Sequence, residues 1–380
     1  MVKAQPPTVE VDGVRPLRTV EASSADEVAG LLADASRQAL AVLPIGGTRA
    51  LTMGNPPQRI DLAIRTTGLN RIVAHSPADL TVTVEAGVTL EELNEVLGLR
   101  RQFLPLDVPG GPGHTIGGAL ASGWTGPLRL RYGAPREYVI GLTVALPDGK
   151  LVKSGGQVVK NVSGYDLNKL HLGVMGSMGI ITQASLKVFP QPRDDVTVHS
   201  RSDNLDQCWR LVEQALALPA LPTSLEVARR ADGFHIWARL GDTFAANARL
   251  AAQLGWERAD GSVWQQWQRL RSQTWSRVTL PRAHLRDTLS LIDDDRQWWA
   301  SPALGTCDLL DLVDLESLSQ LRQAAEAKGG SLVLLAAPAA TKKALGAWGK
   351  PPANLDLMRR LRHAFDPFAI MSPGRYLVDG

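Results

Sequence analysis

Cysteine and long apolar runs are scarce in this sequence of 380 residues. Its two cysteines, Cys208 and Cys307, belong to no CxxC or Cys/His cluster, which excludes a self-contained iron–sulfur cluster or structural zinc site. Such cysteine usage fits a reducing cytoplasm. No run approaches the roughly 18 apolar residues of a membrane span, and the N-terminus, MVKAQPPTVEVDG, lacks the apolar core of a secretory leader. We therefore expect a cytoplasmic protein that reaches a membrane only through partners.

The charge of the chain is nearly balanced. Its 41 basic and 38 acidic side chains give a formal net charge of +3 and are spread without long blocks of one sign. A nucleic-acid surface needs a concentrated basic patch, so we expect no nucleic-acid partner. Hydrophobic residues make up 44% of the sequence, which is enough for two domains with substantial cores.

The first half of the sequence alternates helical and strand patterns. Residues 20–38 have the apolar spacing of a helix, whereas residues 80–86 alternate strictly, as a strand does. Thr89 and Glu92 have the spacing of a capping box that begins a second helix. The turn at residues 147–150, between two apolar runs, predicts a β-hairpin. Together these patterns predict an α+β fold.

Three glycine-rich segments interrupt this pattern, at residues 44–49, 104–126 and 155–182. Glycine lets a backbone turn tightly and present successive N–H groups to an anion. The first segment, PIGGTR, is neither a Walker A nor a GxGxxG motif, and a Gly-Gly pair after a strand is more often a simple turn. The third combines glycines with lysines, asparagines and an aspartate, which indicates binding rather than packing alone.

Six short motifs follow one another along the first half: PIGGT at 44–48, VEAGV at 84–88, TIGG at 115–118, RYG at 131–133, LPDG at 146–149 and GSMGIIT at 176–182. Their order resembles that of FAD-binding domains of the vanillyl-alcohol oxidase, or PCMH, type. Within this superfamily, residues 156–167, GQVVKNVSGYDL, are similar to the E subunits of bacterial glycolate oxidase (glycolate dehydrogenase).

The resemblance implies an α+β architecture of two parts. A PCMH-type FAD-binding domain at residues 17–192, made of two α+β subdomains with FAD between them, would follow an N-terminal tail at 1–16. An α+β cap domain with an antiparallel sheet, covered on one face by helices, would span 193–350. A C-terminal helix and tail at 351–380 would return to the FAD domain.

The resemblance also implies which residues bind FAD. Gly46 and Gly47 would hold the pyrophosphate, and Lys160 or Arg49 would place positive charge near the flavin N1 and O2 atoms, although Lys160 has a second interpretation as a solvated turn lysine. The full set is Pro44, Ile45, Gly46, Gly47, Thr48, Arg49, Pro109, Thr115, Ile116, Gly117, Gly118, Ser122, Gly123, Lys160, Asn161, Gly179 and Ile180.

Non-covalent FAD is the predicted form of the cofactor. Relatives that bind flavin covalently carry a histidine or cysteine in the glycine loop or near the later Gly-Gly segment, whereas Thr48 and Arg49 follow the glycines here. His114 precedes the second glycine turn. It is either a loop histidine bonded to backbone or a residue near the cofactor.

The implied function is that of an FAD-binding subunit in a glycolate oxidase complex, oxidising the 2-hydroxy acid glycolate to glyoxylate. Electrons would pass through flavin to an iron–sulfur partner subunit, beside a second flavin-domain subunit. No catalytic base is assigned. No metal is expected, because the cap has no His-Gly-Asp-Gly-Asn motif and its histidines, His199, His235, His284 and His363, are isolated in sequence.

Two other functions are consistent with the sequence. The chain is also consistent with a self-sufficient 2-hydroxy-acid oxidoreductase whose cap arginine, Arg277 or Arg282, holds the substrate carboxylate. A third possibility is a non-catalytic subunit that binds FAD for electron relay or assembly. Six of the ten tryptophans lie in residues 256–299; they form either the cap core or a docking face for partner subunits.

Overall fold

The computed structural model describes residues 9–156, 166–270, 274–293, 296–311 and 314–377. Within these ranges the chain forms a three-stranded, a five-stranded and an eight-stranded sheet, in that order along the sequence. Helices pack on each of them, which confirms the predicted α+β class.

The first sheet is parallel and carries helix α1 (Ala25–Arg37). Its strands, in spatial order, are β1 (Arg18–Glu21), β3 (Leu62–Arg65) and β2 (Val42–Ile45). The Ser24 side chain caps α1 by accepting a hydrogen bond from the Glu27 N–H at 3.1 Å. Val28 and Leu32 are fully buried beneath the helix, so the apolar spacing of the sequence becomes the face that packs on this sheet.

The second sheet is antiparallel. Its spatial order is β4 (Ile72–Ser76), β5 (Thr81–Glu85), β9 (Ile180–Lys187), β7 (Val139–Ala145) and β8 (Leu151–Gly155). Strands β7 and β8 form the predicted hairpin. Central strand β9 pairs with β5 on one side and β7 on the other, so the apolar end of the third glycine-rich segment lies in the middle of the sheet.

Helices α2 (Leu90–Gly98) and α3 (Ile116–Ser122) follow strand β5. The predicted capping box of α2 is present: the Thr89 hydroxyl accepts from the Glu92 N–H at 3.2 Å, and the Glu92 carboxylate accepts from the Thr89 N–H at 3.0 Å. The smaller elements of this region are β6 (Gln102–Phe103), which pairs with β10 (Phe189–Pro190), helix α4 (Arg129–Tyr132) and two 3-10 turns, Pro135–Glu137 and Leu167–His171.

The third sheet is antiparallel throughout, as the cap prediction requires. In spatial order its strands are β14 (Glu257–Ala259), β11 (Asp194–Ser202), β13 (Gly233–Asp242), β12 (Ser224–Arg230), β16 (Trp298–Ser301), β17 (Thr306–Leu310), β15 (Trp275–Thr279) and β18 (Ser331–Ala336). The cap helices are α5 (Leu205–Leu216), α6 (Phe244–Leu254), α7 (Ser262–Gln268), α8 (Arg282–Leu289) and α9 (Leu315–Ala327).

Both faces of the cap sheet are covered. Residues of α5, α6, α8 and α9 share one apolar cluster with the sheet. Helix α7 packs on the opposite face, where Trp264 and Trp267 contact Trp237 and Trp299. The expectation of helices on one face is therefore incomplete, because α7 fills the opposite face. This face meets the first half of the chain, where the Gly111 N–H donates to the Gln268 carbonyl at 2.9 Å.

The hypothesis that the tryptophans form a docking face for partner subunits is wrong. All six tryptophans between residues 256 and 299 are buried, with at most 9% of their surface exposed: Trp256, Trp264, Trp267, Trp275, Trp298 and Trp299. Five of them belong to the clusters of the cap, which agrees with the alternative interpretation of a cap core, and Trp275 packs in the cluster of the first half of the chain.

The C-terminal part returns to the first sheet. After α10 (Ala339–Leu345) and α11 (Leu355–Phe365), Met371 forms a parallel bridge with Val42. Arg375 then donates hydrogen bonds to the carbonyls of Leu51 and Met53. The last residues of the chain are thus placed beside the loop that follows β2.

Candidate cofactor site

A cleft lies between the parallel sheet and the five-stranded sheet. Its walls come from three separate segments, within residues 43–51, 114–122 and 175–181, together with Thr66 and Arg375. The three glycine-rich segments of the sequence all reach this cleft.

Twelve of the predicted cofactor residues line the cleft: Pro44, Ile45, Gly46, Gly47, Thr48, Arg49, Thr115, Gly117, Gly118, Ser122, Gly179 and Ile180. Three other predicted residues do not line the cleft themselves but adjoin residues that do. Ile116 is fully buried in the core, Gly123 ends α3 in a left-handed conformation, and the Pro109 carbonyl is bonded to His114. Lys160 and Asn161 lie outside the described residues.

Gly46 and Gly47 allow two walls of the cleft to touch. A Cβ at Gly46 would collide with the Thr115 hydroxyl, and one at Gly47 would collide with the Gly113 carbonyl. Thr115 caps α3 by accepting from the Gly118 N–H at 3.2 Å, and it also accepts from the Gly47 N–H at 3.4 Å. These glycines are needed for close packing, and this packing holds the first two glycine loops side by side.

Backbone donors remain available in the first loop. No described residue accepts a hydrogen bond from the N–H of Gly46, Thr48 or Arg49. Thr48 has a φ of +64°, a left-handed conformation that a threonine rarely adopts. Unpaired N–H groups in such a turn are suitable for binding an anion.

Two arginines contribute the charge of the cleft. The Nε of Arg49 and the Nη1 of Arg375 are buried, and neither has a hydrogen-bond partner among the residues that the structure describes. Of the described residues that line the cleft, none is a carboxylate. An anionic ligand would supply the missing partners, because a buried unpaired donor is unfavourable.

Arg375 lines the cleft but is not among the residues that the sequence motifs predict. Its only signal was the Pro-Gly-Arg tail at residues 373–375. Several apolar residues of the wall were also not predicted. Leu51, Ala121, Met175 and Ile181 line the cleft beside the predicted residues. Their side chains are the apolar surface that a planar ring system needs on its faces.

His114 combines both of its predicted interpretations. Its Nε2 lies 2.8 Å from the Pro109 carbonyl, so the ring is bonded to backbone, and the residue also lines the cleft. Burial lowers the pKa of His114, the nearby Arg49 lowers it further, and Pro109 and Glu91 oppose this shift. A neutral imidazole that donates to Pro109 is the form that this environment favours.

Two cap arginines, Arg277 and Arg282, were the candidates for binding a substrate carboxylate. The Arg277 guanidinium donates to both oxygens of Asp308, at 2.8 and 2.9 Å, and to the Thr125 carbonyl at 3.3 Å. A guanidinium engaged in this way is not free for a substrate carboxylate. Arg282, the other candidate, is exposed at the start of α8.

The sequence suggested that the cap histidines are isolated, but two of them lie side by side in the structure. His199 Nε2 lies 3.1 Å from His235 Nδ1, and His235 Nε2 lies 2.9 Å from an Asp232 oxygen. Antiparallel pairing of β11 with β13 brings these rings together. In the described part of the chain, no group of three or more His, Cys, Asp or Glu residues is arranged to hold a metal ion.

The residues of the cleft fit FAD. The two unpaired arginine nitrogens and the free N–H groups of the first loop match the diphosphate of a dinucleotide, while the apolar wall matches a flavin ring. Fold and cleft together define a flavoprotein with an FAD-binding domain of the PCMH type.

The comparisons with known proteins agree with this class. The chain matches the FAD binding domain family over residues 16–155. It is 30% identical to the glycolate oxidase subunit GlcE of Escherichia coli over 81% of this chain and 85% of GlcE. This chain belongs to the family of FAD-binding glycolate oxidase subunits that includes GlcE.

Two further similarities are more partial. The glycolate oxidase subunit GlcD of Bacillus subtilis is 32% identical over 53% of this chain and 43% of GlcD. The chain spans less than half the length of several curated relatives that it matches. The solved structure of alkyldihydroxyacetonephosphate synthase superposes with a TM-score of 0.70 at 16% identity, covering 95% of this chain and 77% of that one, and it shows the shared fold alone. None of the described helices is both long and apolar enough to span a membrane.

Proposed function

We propose that this chain is the FAD-binding subunit of a glycolate oxidase complex and takes part in oxidising glycolate, a 2-hydroxy acid, to glyoxylate. The observation that carries the proposal is the cleft, whose lining combines two arginines that have unpaired nitrogens, a glycine loop and apolar side chains. Similarity to GlcE over most of both chains supports the choice of complex.

FAD, when bound, supplies hydride acceptance from the alcohol carbon of the substrate. The residues of this chain contribute binding and orientation. Gly46, Thr48 and Arg49 offer backbone N–H groups to the diphosphate, and the Arg49 side chain neutralises part of its charge. Met175, Ile181 and Ala121 exclude water from the apolar side.

Electrons would have to leave through a partner. Cys208 and Cys307 are buried free thiols and do not form an iron–sulfur site. We propose an iron–sulfur subunit and a second flavin-domain subunit as the partners, and any membrane association would occur through them. A cytoplasmic location follows from the same proposal.

A specific observation favours a second candidate, in which this subunit binds FAD but has no substrate site of its own. No described residue between 193 and 350 lines the cleft, although the cap domain would be expected to supply substrate groups. Arg277 is engaged by Asp308 and Thr125. In this version the partner subunit carries the substrate groups, and this chain relays electrons or supports assembly.

An anaerobic titration tests the two versions. The FAD-loaded chain is mixed with glycolate or D-lactate, alone and then with the co-purified partner subunits, and the flavin absorbance is followed. Bleaching in the isolated chain supports a substrate site within it. Bleaching only after the partners are added supports the relay, and no bleaching with either substrate in the complete complex contradicts both versions.

A further inference from the structure

Arg375 is an unusual residue to find buried. Only 2% of its surface is exposed, and it comes from the C-terminal tail rather than from a glycine-rich loop. Its Nη2 donates to the Leu51 carbonyl at 2.9 Å and also to the Met53 carbonyl. Its Nη1 is buried without a hydrogen-bond partner among the described residues, and the residue lines the cofactor cleft.

The charge of Arg375 is not balanced by the protein around it. Asp12 is the acidic group whose charge acts on it, but both Asp12 oxygens lie 2.9 Å from the Nζ of Lys342, which is itself fully buried. Burial lowers the pKa of Arg375 to about 10, so the guanidinium is still charged at neutral pH. One carboxylate therefore faces two buried cations, and Arg49 adds a third positive charge along the same cleft.

The backbone of Arg375 is fixed in place. Its carbonyl accepts hydrogen bonds from the Asn55 N–H at 3.0 Å and from Trp348 Nε1 at 2.9 Å. Gly54 approaches this carbonyl so closely that a Cβ there would lie 2.8 Å from it. The guanidinium is thus preorganised, and the unpaired nitrogen does not arise from a loosely held side chain.

We propose that Arg375 binds an anionic oxygen in the cleft through Nη1, and that this oxygen belongs to the diphosphate of the bound dinucleotide. A buried guanidinium with an unused N–H is unfavourable unless a ligand completes its partners, and arginine is well suited to phosphate. The proposal rests on the proposed function, since it assumes that the cleft holds FAD. It makes cofactor affinity depend on the C-terminal tail.

The test compares ligands that carry different parts of FAD. Affinities of apo-protein for FAD, ADP, riboflavin and glycolate are measured by isothermal titration calorimetry at low and high salt. We expect Arg375→Gln to weaken both FAD and ADP by about 10- to 100-fold and to leave riboflavin unchanged. Arg375→Lys keeps the charge and should retain part of the affinity, and salt should weaken ADP binding to wild type more than to Arg375→Gln.

The matched control is Arg362→Gln. Arg362 is another buried arginine of the C-terminal part, and it donates to the carbonyls of Ser177 and Met371. It does not line the cleft, so its substitution should change stability without a selective loss of ADP. Circular dichroism spectra and melting temperatures establish that each variant is folded before its affinities are compared.

The outcomes separate the possibilities. Equal FAD and ADP affinities in wild type and folded Arg375→Gln would overturn the proposal. Loss of riboflavin or glycolate binding with ADP unchanged would also overturn it, because the ligand oxygen would then belong to the flavin or to a carboxylate. If Arg375→Gln fails to fold, ADP binding to wild type that is insensitive to salt contradicts the proposal instead. Wild type that binds none of FAD, ADP or riboflavin refutes the proposed function itself.

Discussion

Gly47 and Thr115 show how single residues bring two loops of the cleft together. The Gly47 N–H donates to the Thr115 hydroxyl, and a Cβ at Gly47 would overlap the Gly113 carbonyl. The glycine pair was predicted from its resemblance to a pyrophosphate loop. The structure adds a packing reason, since the loops must touch before their N–H groups can face one ligand.

The first prediction concerns Gly47→Ala. Because the new methyl group would meet a backbone carbonyl, the two loops must separate, and we expect a loss of about 2 kcal/mol or more in unfolding free energy together with weaker FAD binding. Chemical denaturation and FAD titration measure the two effects. Gly30→Ala is the control: Gly30 lies within α1 with no atom near its Cβ position, so the change should stabilise the chain by up to about 1 kcal/mol. A Gly47→Ala variant as stable as wild type would contradict the packing argument.

A second prediction at this scale concerns Asp107. Burial raises its pKa to about 7, although the Leu128 N–H, at 2.9 Å from its carboxylate, and the charge of Arg239 oppose the shift. The folded state therefore holds this proton more tightly than the unfolded chain does, so stability falls as pH rises from about 4 to 7 and then levels off. Asp107→Asn removes this dependence.

The measurement for Asp107 is denaturant unfolding of apo-protein between pH 4.5 and 8. We expect the wild type to lose stability as pH rises, whereas Asp107→Asn does not lose it through this group. The difference in unfolding free energy between the variant and wild type should therefore grow with pH, in favour of the variant, by up to about 4 kcal/mol. Asn keeps an acceptor for the Leu128 N–H, which limits other effects. Parallel pH profiles for the two proteins would show that Asp107 does not titrate in this range.

At the scale of elements, the cap sheet carries a buried ion pair between neighbouring strands. Arg277 on β15 faces Asp308 on β17, and Trp275 Nε1 donates to the same carboxylate at 3.0 Å. The side chains are 15% and 5% exposed. Removal of one charge would leave the other unpaired inside the protein.

The third prediction follows from this pair. Arg277→Met and Asp308→Asn should each destabilise the chain by about 3 to 5 kcal/mol, whereas the double variant should lose less than the sum. A double-mutant cycle in chemical denaturation measures the coupling. A small effect of Arg277→Met on stability, with a large effect on 2-hydroxy-acid binding, would restore Arg277 as a substrate ligand.

Local signals explain which elements could be predicted. The capping box of Thr89, the turn at residues 147–150 and the apolar spacing of α1 depend on neighbours in sequence, so the pattern alone was sufficient. The pairing of His199 with His235 depends on the register of β11 and β13, which the sequence does not reveal. The burial of the tryptophans and the covering of both cap faces depend on how α7 packs, and that is equally non-local.

For the whole molecule, the candidate site combines segments that are far apart in sequence. Twelve lining residues were predicted because motif order points to one known type of flavin domain. Arg375 was missed because its only sequence signal is the short Pro-Gly-Arg tail at residues 373–375, and its position depends on the return of the C-terminal tail to the loop after β2. Such a site is complete only when the tail is docked.

The central claim is that the cleft binds FAD, and its most direct test is titration of the purified apo-chain with FAD, followed by acid precipitation of the loaded protein. We predict saturation at one FAD per chain and a colourless pellet under a yellow supernatant, because the cofactor is non-covalent. A yellow pellet would contradict non-covalent binding. Failure to take up FAD by a folded chain would contradict the account as a whole.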